Sequence, residues 1–251
     1  MKNHIKFEFY QCYGFNNKED VLEVIKTIQD CGVVLAKHQK EHGEPPQTLP
    51  YIGSAREYVN EGYREVELVD GDGVPVHLRR GPNCLSGAGL IENVVSGLNQ
   101  TFSFVFDMFG EKFNMVSGSL ITRREDLDVF AGFFLEVAKA IYPILRPAIG
   151  IVDYSGGVPG TIFKEVSARK TKRIYWATFL GPDYVNKFGK EYFLNAPVWK
   201  KETLPDGGIF LQTNEHITKS SEISTLDEVR SYFSKIGVKF ISWAHEKPRS
   251  W

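Results

Sequence analysis

The stretch from Tyr175 to Gln212, YWATFLGPDYVNKFGKEYFLNAPVWKKETLPDGGIFLQ, constrains the fold more than any other part of the chain. Its Trp, Phe, Leu and Tyr residues require a packed interior. Gly181-Pro182-Asp183 reads as a helix start, because proline suits the first helical turn and aspartate the positive end of the helix dipole. Asp206-Gly207-Gly208 reads as a reversal between two strands. The segment specifies a shape and offers no constellation of groups for bond chemistry.

The pattern continues on both sides. Arg173 to Leu180 reads as a strand, Asp183 to Leu194 as a helix, then two strands around Pro205-Asp206-Gly207-Gly208, a helix from Leu226 to Ile236 and a strand from Val238 to Trp243. Thr225 with Glu228 resembles a helix cap and Gly237 a C-terminal turn. The order βαββαβ matches the split βαβ arrangement of ferredoxin-like folds, with helices on one face of an antiparallel sheet.

Upstream, Ile5, Phe7 and Phe9 alternate with polar neighbours and predict a strand. Asn17 caps a helical pattern, with Val21, Val24, Ile28, Cys31, Leu35 and His38 at steps of three and four; Gly32 costs about 1 kcal/mol relative to alanine and leaves room for two helices. Ser54 and Glu57 form a capping-box pattern before Val59. A hairpin is expected from Glu65–Val69 and Val74–Arg79 around Asp70-Gly71-Asp72-Gly73. TFSFVFDM and KFNMVSGSLI read as strands, then a helix capped by Thr122 and Glu125 and stopped by Pro143, then the strand AIGIVDY. Ser155 to Gly160 combines turn residues with a shift in composition and marks a boundary between an N-terminal lobe, 1–157, and a C-terminal lobe, 158–251, which can also pack as one domain. The expected class is α+β, with antiparallel sheets and helices on one face.

At 251 residues and 42% hydrophobic content the chain can bury a large core, and a net charge of −1 gives no global field toward nucleic acid or an anionic membrane. The three cysteines, Cys12, Cys31 and Cys84, form neither a disulfide framework nor a C-x-x-C pair. The N-terminus lacks the apolar core of a signal peptide, and no segment reaches the roughly 18 apolar residues of a membrane span. Cytoplasmic residence is the expectation, with no direct contact to nucleic acid or membrane.

His38, Glu41 and His42 fit the H-x-x-E-H spacing of inverted zincins, in which two histidines one helical turn apart hold zinc. No acidic third ligand follows at a telling distance, so a zinc hydrolase is the alternative and not the main reading. Gly87-Ala88-Gly89 lacks the third glycine of a dinucleotide fingerprint, since Glu92 takes its place. Cys84 with His77 offers a nucleophile and a base only on paper. Lys164, Arg169, Lys170, Lys172 and Arg173 form a basic stretch best read as a solvated loop, with nucleic-acid or peptide binding as its functional alternative. Between Arg56 and Asp72 six acids face two arginines, a balance of −4. Within that run Glu65, Glu67, Asp70 and Asp72 are the candidate partner-binding residues, because such a face complements a basic cleft and speeds encounter.

Two blocks, GSLITRREDLDVFAGFFLEVAKAIYPILRPAIGIVDY from Gly118 to Tyr154 and the Tyr175 to Gln212 stretch, resemble the immunity proteins of bacterial type VI secretion and polymorphic toxin systems, most nearly the immunity protein 52 family. The similarity spans about half the chain and is strongest at Trp176, Phe179, Leu180, Gly181 and Pro182, then at Gly207, Gly208, Leu211 and Gln212. It implies an antagonist that binds a cognate secreted toxin, commonly a nuclease of restriction-endonuclease type, and blocks it. No catalytic residue, metal or cofactor carries over.

Overall fold

The computed structural model describes residues 2–13, 17–39, 47–65, 83–95, 98–108, 114–154, 166, 174–219 and 223–235. One antiparallel sheet organises them. Its strands are β1 (Lys2–Cys12), β2 (Val33–Gln39), β3 (Gln47–Pro50), β4 (Arg64–Glu65), β5 (Asn83–Val95), β6 (Leu98–Met108), β7 (Asn114–Arg123), β8 (Pro147–Tyr154), β9 (Ala177–Leu180), β10 (Lys200–Thr203) and β11 (Ile209–Gln212). They lie in the order β10-β11-β9-β8-β1-β7-β6-β5-β2-β3, with β4 also paired to β5. The helices are α1 (Lys18–Asp30), α2 (Ala55–Gly62), α3 (Leu127–Leu145), α4 (Pro182–Phe188), α5 (Lys190–Leu194) and α6 (Ile223–Ser234).

Split crossovers recur. β7 and β8 both pair antiparallel with β1, so the β7–α3–β8 connection joins two parallel strands with β1 between them. β9, α4–α5 and β10 repeat the device around β11. The second unit is the split βαβ order expected from the sequence. The place beside β9 that a fourth ferredoxin-like strand would take is held by β8, from Ile149 opposite Leu180 to Val152 opposite Ala177. Strands on either side of the Ser155–Gly160 segment therefore pair directly. The strand expected at Val238–Trp243 lies outside the described residues.

Strand alternation divides the core between the two faces. Phe7, Phe9, Phe102, Phe104, Val152, Phe179 and Phe210 pack with α1, α2 and α3 in one cluster. Tyr10, Ile149, Leu180, Ile209 and Leu211 pack with Tyr184, Val185, Phe193, Val229 and Phe233 of α4, α5 and α6 in another. Phe9 and Tyr10 are successive residues, as are Phe179 and Leu180, so the clusters lie on opposite sides. Helices keep to one face within each half of the chain, but the two halves use different faces.

Several local expectations change. α1 stops at Asp30, and Gly32, at φ +94°, turns the chain into β2, so the apolar steps at Leu35 and His38 belong to a strand. Thr122 does not cap α3: its hydroxyl is buried without a partner among the described residues, and a 3-10 turn at Arg124–Asp126 precedes the helix. Pro143 does not stop α3, which runs to Leu145 and ends where Arg146 adopts a left-handed conformation at φ 44°. Gly189, at φ +93°, divides the expected 183–194 helix in two. Thr225 lies within α6 and not before it.

Candidate functional site

The acidic run begins at a corner built by β2, β3, α1 and α2. Ser54 and Glu57 form the capping box read in the sequence: Ser54 Oγ accepts from the Glu57 N–H at 3.2 Å, and Glu57 accepts from the Ser54 N–H at 2.7 Å. That N–H, before the neighbouring hydroxyl, holds the Glu57 carboxyl below the usual carboxylate range. Tyr58 hooks α2 to the sheet, its hydroxyl donating toward Ala36 O at 3.1 Å and accepting from the Ala88 N–H at 3.0 Å. Gly87 lies beneath: a Cβ there would sit 2.3 Å from the Phe104 ring and 2.4 Å from the Tyr58 hydroxyl. Close packing, and not a phosphate, accounts for this glycine.

Charged groups tie the outer surface of the corner together. Arg56 grips Glu19 of α1 with two hydrogen bonds of 2.8 and 2.9 Å. Lys37 pairs with Glu61 and stands 4.5 Å from the centre of the Tyr51 ring, while the Tyr51 hydroxyl donates to Glu61 at 2.8 Å. Lys37 first and Tyr51 second lower the Glu61 carboxyl, and Tyr51 itself, through desolvation and then Glu61, is pushed up to about 12. Two of the six acids in the run, Glu57 and Glu61, are thus engaged within the molecule.

Of the four predicted partner-binding residues, the structure places one. Glu65 closes β4 opposite Asn83 of β5. Glu67, Asp70 and Asp72 lie outside the described residues, as do the rest of the expected hairpin and the basic residues Lys164, Arg169, Lys170, Lys172 and Arg173. His38 lies on β2 opposite Thr48, in a strand where the zincin spacing requires a helix, and Glu41 and His42 are outside the described residues. Cys84 sits in β5 opposite Arg64, and His77 is outside them too. Among the described residues no group of three His, Cys, Asp or Glu side chains could hold a metal ion.

The corner also carries Ile52, which sequence reasoning missed. It is 97% exposed, beside Leu49 at 39%. β1 carries a polar ladder, in which Glu8 accepts from Lys6 at 3.0 Å and from the Tyr10 hydroxyl at 2.8 Å. Lys6 and Tyr10 are buried, and burial, ahead of Glu8, drives the Tyr10 hydroxyl far above its normal range. Alternation marked these side chains as the polar face of a strand; the central place of β1 in the sheet buries them.

These elements define an α+β protein built on one antiparallel sheet, and no described helix is long and apolar enough to cross a membrane. No family model matches the sequence, and no curated protein matches it. Among solved structures, a T6SS protein from Pseudomonas aeruginosa shares the fold, with a TM-score of 0.54 at 10% identity over 95% of this chain and 73% of that one.

Proposed function

We propose that the chain is an immunity protein of a type VI secretion system, which binds a cognate secreted toxin and neutralises it. The observation that carries this reading is the fold shared with the Pseudomonas T6SS protein over nearly the whole chain. The resemblance of the Gly118–Tyr154 and Tyr175–Gln212 blocks to immunity proteins adds to it. In the fold those matched positions are structural: Phe179, Leu180 and Leu211 are fully buried, and a Cβ on Gly181 would lie 2.3 Å from the Pro147 carbonyl oxygen. They define a body and leave its surface free to suit a partner.

In this reading the toxin is a nuclease effector, and the chain occludes its active cleft or holds it inactive over roughly 800 Å² per partner. It makes and breaks no covalent bond, uses no cofactor, and works in the cytoplasm where a nuclease would meet the chromosome. Glu65, Glu67, Asp70 and Asp72 complement a cleft that attracts phosphate. The test is whether a toxin gene lies beside this one, and whether its product forms a one-to-one complex with this chain and is neutralised by it in a growth-rescue assay. The double variant Asp70→Lys/Asp72→Lys should slow association by about tenfold and reduce its salt dependence. An unchanged rate and salt dependence would remove these carboxylates from the interface.

A further inference from the structure

We infer that the outer edge of β10 is where the toxin docks, by adding an extended strand that carries an acidic side chain; this rests on the immunity reading. β10 and β3 are the two ends of the sheet order. The β10–β11 hairpin turns through Pro205-Asp206-Gly207, where the Leu204 carbonyl accepts from the Gly207 N–H at 3.0 Å and the Leu204 N–H donates to the Gly208 carbonyl at 2.8 Å. That close pair sets the parity of the ladder. With Thr203 opposite Ile209 and Lys201 opposite Leu211, the backbone groups of Lys200 and Glu202 bond β11, and those of Lys201 and Thr203 point away from it. Two N–H and two C=O groups therefore line an exposed edge, with no described strand beyond it and no proline within it. Another extended chain is the structure that satisfies such a row.

Charge and register decide which chain. Lys139 and Lys200 both lean on Glu202, at 3.5 and 2.7 Å. Lys201 is exposed, and its ammonium meets the neutral Ala196 carbonyl at 2.8 Å; among the described residues no carboxylate pairs with it. Even with Glu136 of α3 close enough to act on Lys200, the edge keeps one uncompensated positive charge. An incoming strand with a carboxylate opposite Lys201 supplies the counter-charge. A second copy of this chain does not. Two-fold pairing about Lys201 sets two lysines face to face, and pairing about Glu202 sets two glutamates face to face. Pairing about Thr203 brings Pro205, which has no N–H, opposite Lys201. Trp199, 54% exposed two residues before Lys201, gives the added strand an aromatic anchor at one end.

The experiment uses the full chain and the product of a toxin gene found beside its own, inactivated by substitution, with affinity and amide hydrogen exchange measured on the complex. The Lys201 and Thr203 amides should exchange about tenfold more slowly in the complex than in the free chain. Thr203→Pro removes one outward donor and leaves the bonds to β11 in place, so it should weaken binding about tenfold at an unchanged melting temperature. Lys201→Glu should weaken it by about the same factor, and Lys201→Gln by less. Ile52→Asp, at a site 97% exposed toward the opposite end of the sheet, should leave affinity within about twofold. The exchange measurement on wild type does not depend on how the proline variant folds. If wild type binds and rescues growth while both amides exchange as in the free chain, or while Thr203→Pro binds equally well, strand addition at β10 is overturned and the immunity reading stands. A Lys201→Glu variant that binds as tightly as wild type overturns the acidic strand. Protection of the two amides by self-association without toxin makes the occupant a second copy and overturns the toxin assignment. A wild-type chain with no such toxin beside its gene, or one that neither binds nor rescues, defeats both.

Discussion

Phe179→Ala tests whether the sheet unfolds as one body. Phe179 is fully buried in β9, its ring centre 5.5 Å from that of Phe9, 5.5 Å from that of Tyr142, on which it stacks, and 5.0 Å from that of Phe210. It joins the first strand, the long helix and the C-terminal hairpin. Truncating a phenylalanine in such a place costs about 3–5 kcal/mol, from lost transfer energy and the cavity left behind. Unfolding entropy of ~2.1 cal/mol/K per residue over 251 residues gives about 0.5 kcal/mol/K, so the midpoint should fall by about 6–9 °C. The assay compares far-UV circular dichroism, which reports the whole chain, with tryptophan fluorescence, since all four tryptophans lie after residue 157. Both midpoints should move together in wild type and variant alike. A fluorescence transition that drops while the dichroism transition keeps its midpoint would show two units that melt apart, and the reasoning from shared β8–β9 pairing would fail.

Gly150→Ala should destabilise by about 1–3 kcal/mol in chemical denaturation, because the new Cβ would fall 2.2 Å from the Phe9 ring in a core with no slack. An unchanged denaturation midpoint would mean that Phe9 can move aside. The acid dependence of stability should include the corner: Glu61 has a depressed pKa in the fold, so its contribution is present above the unfolded carboxylate value, near 4.3, and is lost as pH falls through the lower folded one. Glu61→Gln should therefore melt with a smaller loss between pH 6 and pH 3 than wild type; an equal loss would remove the Lys37–Glu61–Tyr51 cluster from the cause.

The parts of the fold legible in the sequence are those where local signals and tertiary packing agree. α2 appears with the capping box that Ser54 and Glu57 announced, and the β9–α4–β10–β11 order follows the glycine and proline signals around Tyr175–Gln212. Misreadings arose where one pattern serves two structures. Leu35 and His38 continue the helical spacing of α1, yet Gly32 at positive φ redirects the chain into a strand. β5 was missed because Ser86-Gly87-Ala88-Gly89 has little apolar alternation; its glycines admit Tyr58, Val33 and Phe104 from neighbouring elements, a reason visible only in three dimensions. The site was still less legible. Charge counting found the acidic run but could not tell that Glu57 and Glu61 serve the molecule's own architecture, and nothing in a single isoleucine at position 52 announces that Gly53 and Tyr51 turn it outward.

The geometry of β3 also bears on how a partner would engage this end of the sheet. Edge strands invite another chain to add itself by backbone pairing, and proteins suppress this with short strands, charges or proline. β3 is four residues long, and its Tyr51 end is fixed by the bond to Leu35. With Ala36 opposite Pro50 and Lys37 opposite Leu49, antiparallel alternation points the Leu49 and Tyr51 backbone groups toward β2 and those of Thr48 and Pro50 outward. Pro50 has no N–H, so half of the outward positions lack a donor. Strand addition is therefore poorly served here, while the side chains of Leu49, Tyr51 and Ile52 stand on a rigid frame.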